Sequence, residues 1–173
     1  DTGYLKYTKA TAERAAAIGY LAQATAVDAL ALGSNANAAA DYATALGANA
    51  SASESYSIAI GSADATEDRA IAIGNGTQVT GRRSVAVGLD AQAAKGGSSA
   101  YGSSAKATGI NSSAYGANAN ASGGASSAYG NGAIASADNS IAIGSGYDVE
   151  FSKQTSATAE RAAAIGYLAQ ATA

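Results

Sequence analysis

The chain contains no cysteine, methionine, tryptophan, histidine or proline, and Phe151 is its only phenylalanine. Each absence excludes something. Without Cys there is no disulfide framework, and without Cys or His the usual transition-metal ligands are missing. The same two absences remove the usual general base and the thiol nucleophile of enzymes. The 13 acidic residues are dispersed among turns, so a paired-carboxylate site has no support. Glycine strings such as Gly74-Asn75-Gly76 fit turns rather than a phosphate cradle, because no helix follows them. The calcium-binding glycine and aspartate nonapeptides of secreted β-rolls are not present either. The composition therefore predicts a protein that is not an enzyme and takes no cofactor or metal.

Large apolar side chains are also scarce. Only 23 of 173 residues are Leu, Ile, Val or Phe, and the 47% hydrophobic content is reached through alanine. Such a fraction suggests disorder, yet disorder usually needs high net charge, and here it is −3. One copy of this chain cannot assemble a conventional core of bulky side chains. Regular backbone pairing, self-association or both must supply the stability. No apolar run reaches the ~18 residues of a membrane-spanning helix. Asp1 to Ala10 lack the basic region and apolar run of a signal peptide, so an exported parent would make this an internal fragment. Ten Lys and Arg scattered through a mildly acidic chain argue against nucleic acid as a partner.

What is present is a repeat. A short apolar element ending in glycine recurs as Ala17-Ile18-Gly19, Ala31-Leu32-Gly33, Ala45-Leu46-Gly47 and Ala59-Ile60-Gly61, and on through Ala142-Ile143-Gly144 to Ala164-Ile165-Gly166. Successive glycines stand 14 apart, except Gly61 to Gly74 (13) and Gly144 to Gly166 (22). Eleven copies in this register point to a solenoid before any other fold. Within a repeat, Ser57-Ile58-Ala59-Ile60-Gly61 alternates large and small with period two, the pattern of a strand. A second segment places alanines three and five residues after the glycine, as at Ala36 and Ala38. Turn formers such as Gly81, Gly109, Asn111 and Asn139 lie between the two. Two strands and two turns make one coil, and coils stacked at ~4.8 Å would build a rod roughly 50 Å tall. The rival reading is helical, since Thr11 to Ala17 has good helix propensity. A glycine every 14 residues and β-branched pairs oppose it. The fold predicted is all-β, a parallel roll of about eleven 14-residue coils.

A 14-residue coil has room inside for small side chains only, which suits the Ser and Ala positions. The bulky residues would then point outward as one stripe along the rod. They are the pairs Ile58 and Ile60, Ile71 and Ile73, Val85 and Val87, Ile141 and Ile143, with Ile18, Leu32, Leu46 and Ile165. Three consecutive coils carry Tyr101, Tyr115 and Tyr129 instead, each beside a Ser that keeps the layer volume roughly constant. Buried, each large side chain is worth about 1.5–3 kcal/mol, and so long a stripe is too large to leave in water. Self-association in a ring of three would bury it, which makes these residues either trimer core or roll core. The tyrosines are a stacked layer of that core, or a ladder of ligand contacts.

Asn139-Ser140-Ile141-Ala142-Ile143-Gly144 and Ser84-Val85-Ala86-Val87-Gly88, at this spacing, resemble the head repeats of trimeric autotransporter adhesins, typified by the Yersinia adhesin head. The resemblance runs from residue 11 to 173. It implies a left-handed β-roll, a homotrimer, and a virulence role on a Gram-negative outer membrane. Host extracellular matrix or cell-surface receptors would be the partners. The family's membrane-anchoring barrel and coiled-coil stalk are not in these residues, so the resemblance makes the chain a head fragment whose only link to a membrane is an anchor elsewhere. A purely structural spacer that projects another binding domain is the alternative. A regular Thr ladder, which an ice-binding solenoid would need, is lacking.

This reading divides the chain into a lead-in (1–10), head repeats (11–146), an insertion (147–156) and a further repeat (157–173). Ala10 to Ala26 recurs unchanged at Ala157 to Ala173, so the parent would carry blocks about 147 residues long. The insertion holds the alternation Tyr147-Asp148-Val149-Glu150-Phe151 and is predicted to be a protruding hairpin or loop, bracing a neighbouring subunit or touching a ligand. Five residues before each glycine lies a turn column in which Arg14 and Asp28 should pair across coils. In the same column Arg69 and Arg83 are like charges in neighbouring coils, with Arg82 beside them. Either Glu67 and Asp68 neutralise them, or they form a basic patch for acidic matrix or glycan groups. Arg69, Arg82, Arg83, Tyr147 and Phe151 are accordingly the candidate ligand surface.

Overall fold

The computed structural model describes residues 7–145, 147–148 and 153–172. Each coil contributes one three-residue strand and one two-residue strand, and each strand pairs in parallel with its equivalent one coil away. The three-residue strands, such as Ile58–Ile60, form an 11-stranded sheet, and the two-residue strands, such as Ser51–Ala52, a 12-stranded one. No helix occurs among the described residues. The register sets like on like: Ala72 lies opposite Ala86 and Ile73 opposite Val87. The fold is a parallel β-solenoid of about eleven turns.

The coil closes because both of its corners contain a residue in the left-handed region. In the corner after the repeat glycine these are Leu21 (φ 58°), Asn35 (61°) and Asn49 (59°); in the other they are Asp28 (57°), Tyr42 (60°) and Asn111 (53°). Left-handed backbone costs a non-glycine residue about 1–2 kcal/mol, least for Asn and Asp. The corners return part of that cost by pairing coil to coil, as where the Gly47 N–H donates to the Leu32 carbonyl at 2.8 Å. The glycine itself is required by space. Gly116 has φ +130°, and a Cβ there would lie 2.6 Å from the carbonyl carbon and oxygen of Gly130 in the next coil.

Alternation sends Ser57 and Ala59 into the coil, where they meet Ala50 and Ala52 of the opposite sheet, all fully buried. Two sheets lined by methyl groups can approach closely enough to fill the space between them, so the interior holds few side chains larger than serine or alanine. Val79, Thr77 and Thr155 are the largest fully buried ones. A buried hydroxyl needs a partner. Ser112, Ser126 and Ser140 donate to the carbonyls of Gly109, Gly123 and Ala137, three residues back, at 2.8, 2.8 and 2.7 Å. Among the described residues no buried side-chain polar atom lacks a hydrogen bond.

Both length irregularities fall in the glycine corner. The 13-residue coil loses its residue between Ile60 and Asp64, while the strands on either side keep register. The longer coil leaves the roll after Gly144, and Tyr147–Asp148 pairs antiparallel with Lys153–Gln154. The roll resumes at Thr155, which is buried and donates to the Gly166 carbonyl at 2.8 Å, followed by the strand Ser156–Ala157. The insertion therefore ends at Gln154 and not at residue 156. Similarly, Lys9–Ala10 already pairs with Gln23–Ala24 and belongs to the first coil, not to a lead-in ending at residue 10. In both places the strand begins earlier because parallel pairing, rather than the alanine pattern, sets the boundary.

Candidate functional surfaces

The bulky column lies outside the coil. Ile58, Ile60, Ile71, Ile73, Val85 and Val87 are half-buried, while Ile18, Leu32, Leu46, Ile141, Ile143 and Ile165 are exposed. Of the two places open to these residues, the interior of the roll is excluded, because Ala and Ser already fill it. They form one apolar stripe on the outer face of the 11-stranded sheet. Tyr101, Tyr115 and Tyr129 continue it as a ladder, with ring centroids 4.9 Å apart and planes within 9° of parallel. Stacking follows from the sheet, which repeats the same side chain at the same rotamer one coil on. The middle ring, Tyr115, is pushed above the ordinary phenol range by partial burial and then by its two neighbours.

The corner opposite the repeat glycine carries charge. Arg14 reaches Asp28 at 2.6 Å through two nitrogens, and this hydrogen-bonded pair holds the Asp28 carboxyl below its usual range. Further along, Tyr42 and Tyr56 stack at 4.7 Å, and the Arg69 guanidinium lies 5.4 Å from the Tyr56 ring centroid. Asp68 bridges Arg69 at 2.9 Å and Arg82 at 3.0 Å. Asp68 thus joins two of the three candidate arginines, whereas Arg83 and Glu67 enter no ion pair among the described residues. The tyrosine pair was legible in the sequence only as two turn residues 14 apart; its stacking depends on the coil-to-coil spacing.

On the glycine-corner side, the base of the hairpin and the roll wall enclose a cleft of about 410 Å³ lined by Asn118, Asn131, Gly132 and Gln154. Phe151 lies outside the described residues, as does the side chain of Tyr147, so neither is placed relative to this cleft. No group of three or more His, Cys, Asp or Glu that could hold a metal is found among the described residues. No helix there is long and apolar enough to cross a membrane.

A repetitive rod with an interior of buried alanine and serine and its bulky residues displayed outside defines a β-solenoid suited to surface contact. The YadA head domain repeat matches residues 10–36, 24–50, 38–63, 65–91 and 121–146. The chain belongs to that family, and is an adhesin-type head domain of the trimeric autotransporter kind. No curated protein matches it closely enough to extend this statement.

Proposed function

We propose that this chain is the head of a bacterial surface adhesin, a left-handed roll working as a homotrimer and attaching cells to host matrix or host cells. The observation that carries the reading is the apolar stripe. Every described coil exposes large side chains on one face of one sheet, and the coil has no room to take them in. A second copy of the same stripe is the surface that matches it in length and periodicity, since each repeats at the same coil rise. Closing three such faces around an axis buries all of them and leaves the charged corners and the polar 12-stranded sheet outside. The family supports three chains per head and display on an outer membrane. A long repetitive outer surface then binds through many weak contacts, multiplied by valency.

Two experiments test this. Light scattering should give three times the 16.6 kDa chain mass. Ile73→Asp in mid-stripe should yield monomer with an unchanged far-UV spectrum, because the side chain is outside the coil. A parent chain that remains monomeric at high concentration overturns the trimer. Adhesion of the fragment to a panel of matrix proteins and cells tests attachment, and binding to none of them would leave the head a spacer.

A further inference from the structure

The bulky stripe is not uniform along the rod. Three consecutive coils carry Ser99 and Tyr101, Ser113 and Tyr115, and Ser127 and Tyr129 at its two outward positions. Elsewhere those positions hold aliphatic residues or alanine, with Thr44 the one exception. Within the block like lies on like, Ser113 opposite Ser127 and Tyr115 opposite Tyr129. The change is abrupt at both ends, where Tyr101 lies opposite Val87 and Tyr129 opposite Ile143. The inward serines of these coils are satisfied within the roll, Ser112 by the Gly109 carbonyl and Ser126 by that of Gly123. The outward serines are half-buried and the three tyrosines exposed. Among the described residues none of these six outward hydroxyls takes part in a hydrogen bond. A face that is otherwise apolar thus holds six hydroxyls that the chain itself does not pair.

An aliphatic stripe alone does not fix how two copies align. Ile, Leu and Val replace one another in a packed face at small cost. Sliding one rod past its neighbour by one coil, ~4.8 Å, would forfeit little more than the contacts of an end coil. We infer that the three Ser–Tyr coils are a register key, which lets copies of this chain join along the stripe only when parallel and unshifted. After a slip, a tyrosine layer meets aliphatic side chains, so its hydroxyls are buried without partners and the layer volumes no longer match. In register, every hydroxyl of the block faces a layer of hydroxyls that both donate and accept. A single polar position in the apolar seam of a coiled coil sets its register by the same logic. Polarity is fixed too, because the block occupies the seventh to ninth of the eleven outward strands. In an antiparallel pair it would face the third to fifth, which carry Thr44, Leu46 and two Ile pairs. The surface that presents hydroxyls in the same three layers is therefore another copy of this chain, and not a foreign apolar partner. The inference rests on the homotrimer proposed for the head and adds what selects its alignment.

The test moves the key without changing the composition of the stripe. In one variant the block trades places with the three aliphatic coils before it: Ile58→Ser and Ile60→Tyr with Ser99→Ile and Tyr101→Ile, and likewise in the two coils after each. All these side chains lie outside the coil, so the far-UV spectrum should not change. The parent co-expressed with a tagged copy of itself should give mixed trimers in the binomial ratio by native mass spectrometry. Co-expressed with the exchanged chain, mixed trimers should fall about tenfold or more below that ratio, while each chain still forms its own trimer. Binomial mixing of two chains that each trimerise overturns the key alone. A parent that forms no trimer overturns the homotrimer and the key with it. A second variant, with Ile at all six Ser and Tyr positions of the block, leaves a uniform stripe. It should give a broad mass distribution extending beyond three chains, because slipped copies leave part of the stripe open. A single sharp trimer from this folded variant overturns the key, whether or not the exchanged chain folds.

Discussion

Substituting one glycine of the repeat column should break the rod locally, and the cost can be worked from the geometry. In Gly116→Ala the new Cβ lies 2.6 Å from the backbone carbonyl of Gly130, where ordinary contact starts at 3.4 Å. The obstacle is backbone and cannot rotate away, so the two coils must part by about 0.8 Å at that corner. The Gly130 N–H to Tyr115 carbonyl bond, now 2.7 Å, spans the same gap. Stretching it that far removes most of its contribution of about 0.5–1.5 kcal/mol. Holding alanine at φ +130° adds roughly 1–2 kcal/mol. The expected destabilisation is about 1.5–3.5 kcal/mol. Gly96→Ala is the internal control. Its φ is not left-handed and its Cβ would sit 3.7 Å from the Arg82 carbonyl oxygen, so it should be neutral or stabilising by up to about 1 kcal/mol. Denaturation followed by far-UV circular dichroism at fixed protein concentration measures both. Hydrogen exchange should localise the Gly116→Ala damage to neighbouring coils, because each repeat contacts only its neighbours. Equal stability of the two variants would refute the reasoning.

Ala125 sits at φ 51° without the local hydrogen bonding that helps Asn or Asp there, so Ala125→Gly should raise stability by about 0.5–1 kcal/mol, read as a higher denaturation midpoint. Asp28 titrates below its usual range because Arg14 hydrogen-bonds its charged form. Its contribution is therefore present above the unfolded value and is lost as pH falls through the lower folded one. Asp28→Asn should remove that part of the acid dependence, seen by comparing melting curves from neutral pH to pH 2. For Tyr115 the sign is opposite. Burial favours the neutral phenol, so stability should fall as pH rises past the unfolded value near 10, and tyrosinate absorbance at 295 nm should show one late-titrating group that moves earlier in Tyr101→Phe.

Much of the fold was legible because a solenoid is nearly one-dimensional. Repeat length, strand positions and small interior can be read from the spacing of Gly61, Ala59 and Ser57, since each coil repeats the same local solution. Pairing of Arg14 with Asp28 follows from the same register. The candidate ligand surface was less legible. Arg69, Arg82 and Arg83 read as three equivalent cations, yet the structure gives two of them to Asp68 and leaves the third unpaired among the described residues. Which cation a carboxylate selects depends on side-chain reach across coils, and spacing along the chain does not encode reach.

By itself, then, the sequence determined the 14-residue coil and the alanine interior. These depend on composition and period, which are local properties. Tertiary structure alone decided that both length changes fall in the glycine corner, and that Asp68 reaches Arg69 and Arg82 rather than Arg83. Each of these depends on what the next coil places above a residue. The contents of that position are fixed only when strands 14 residues apart are brought into register.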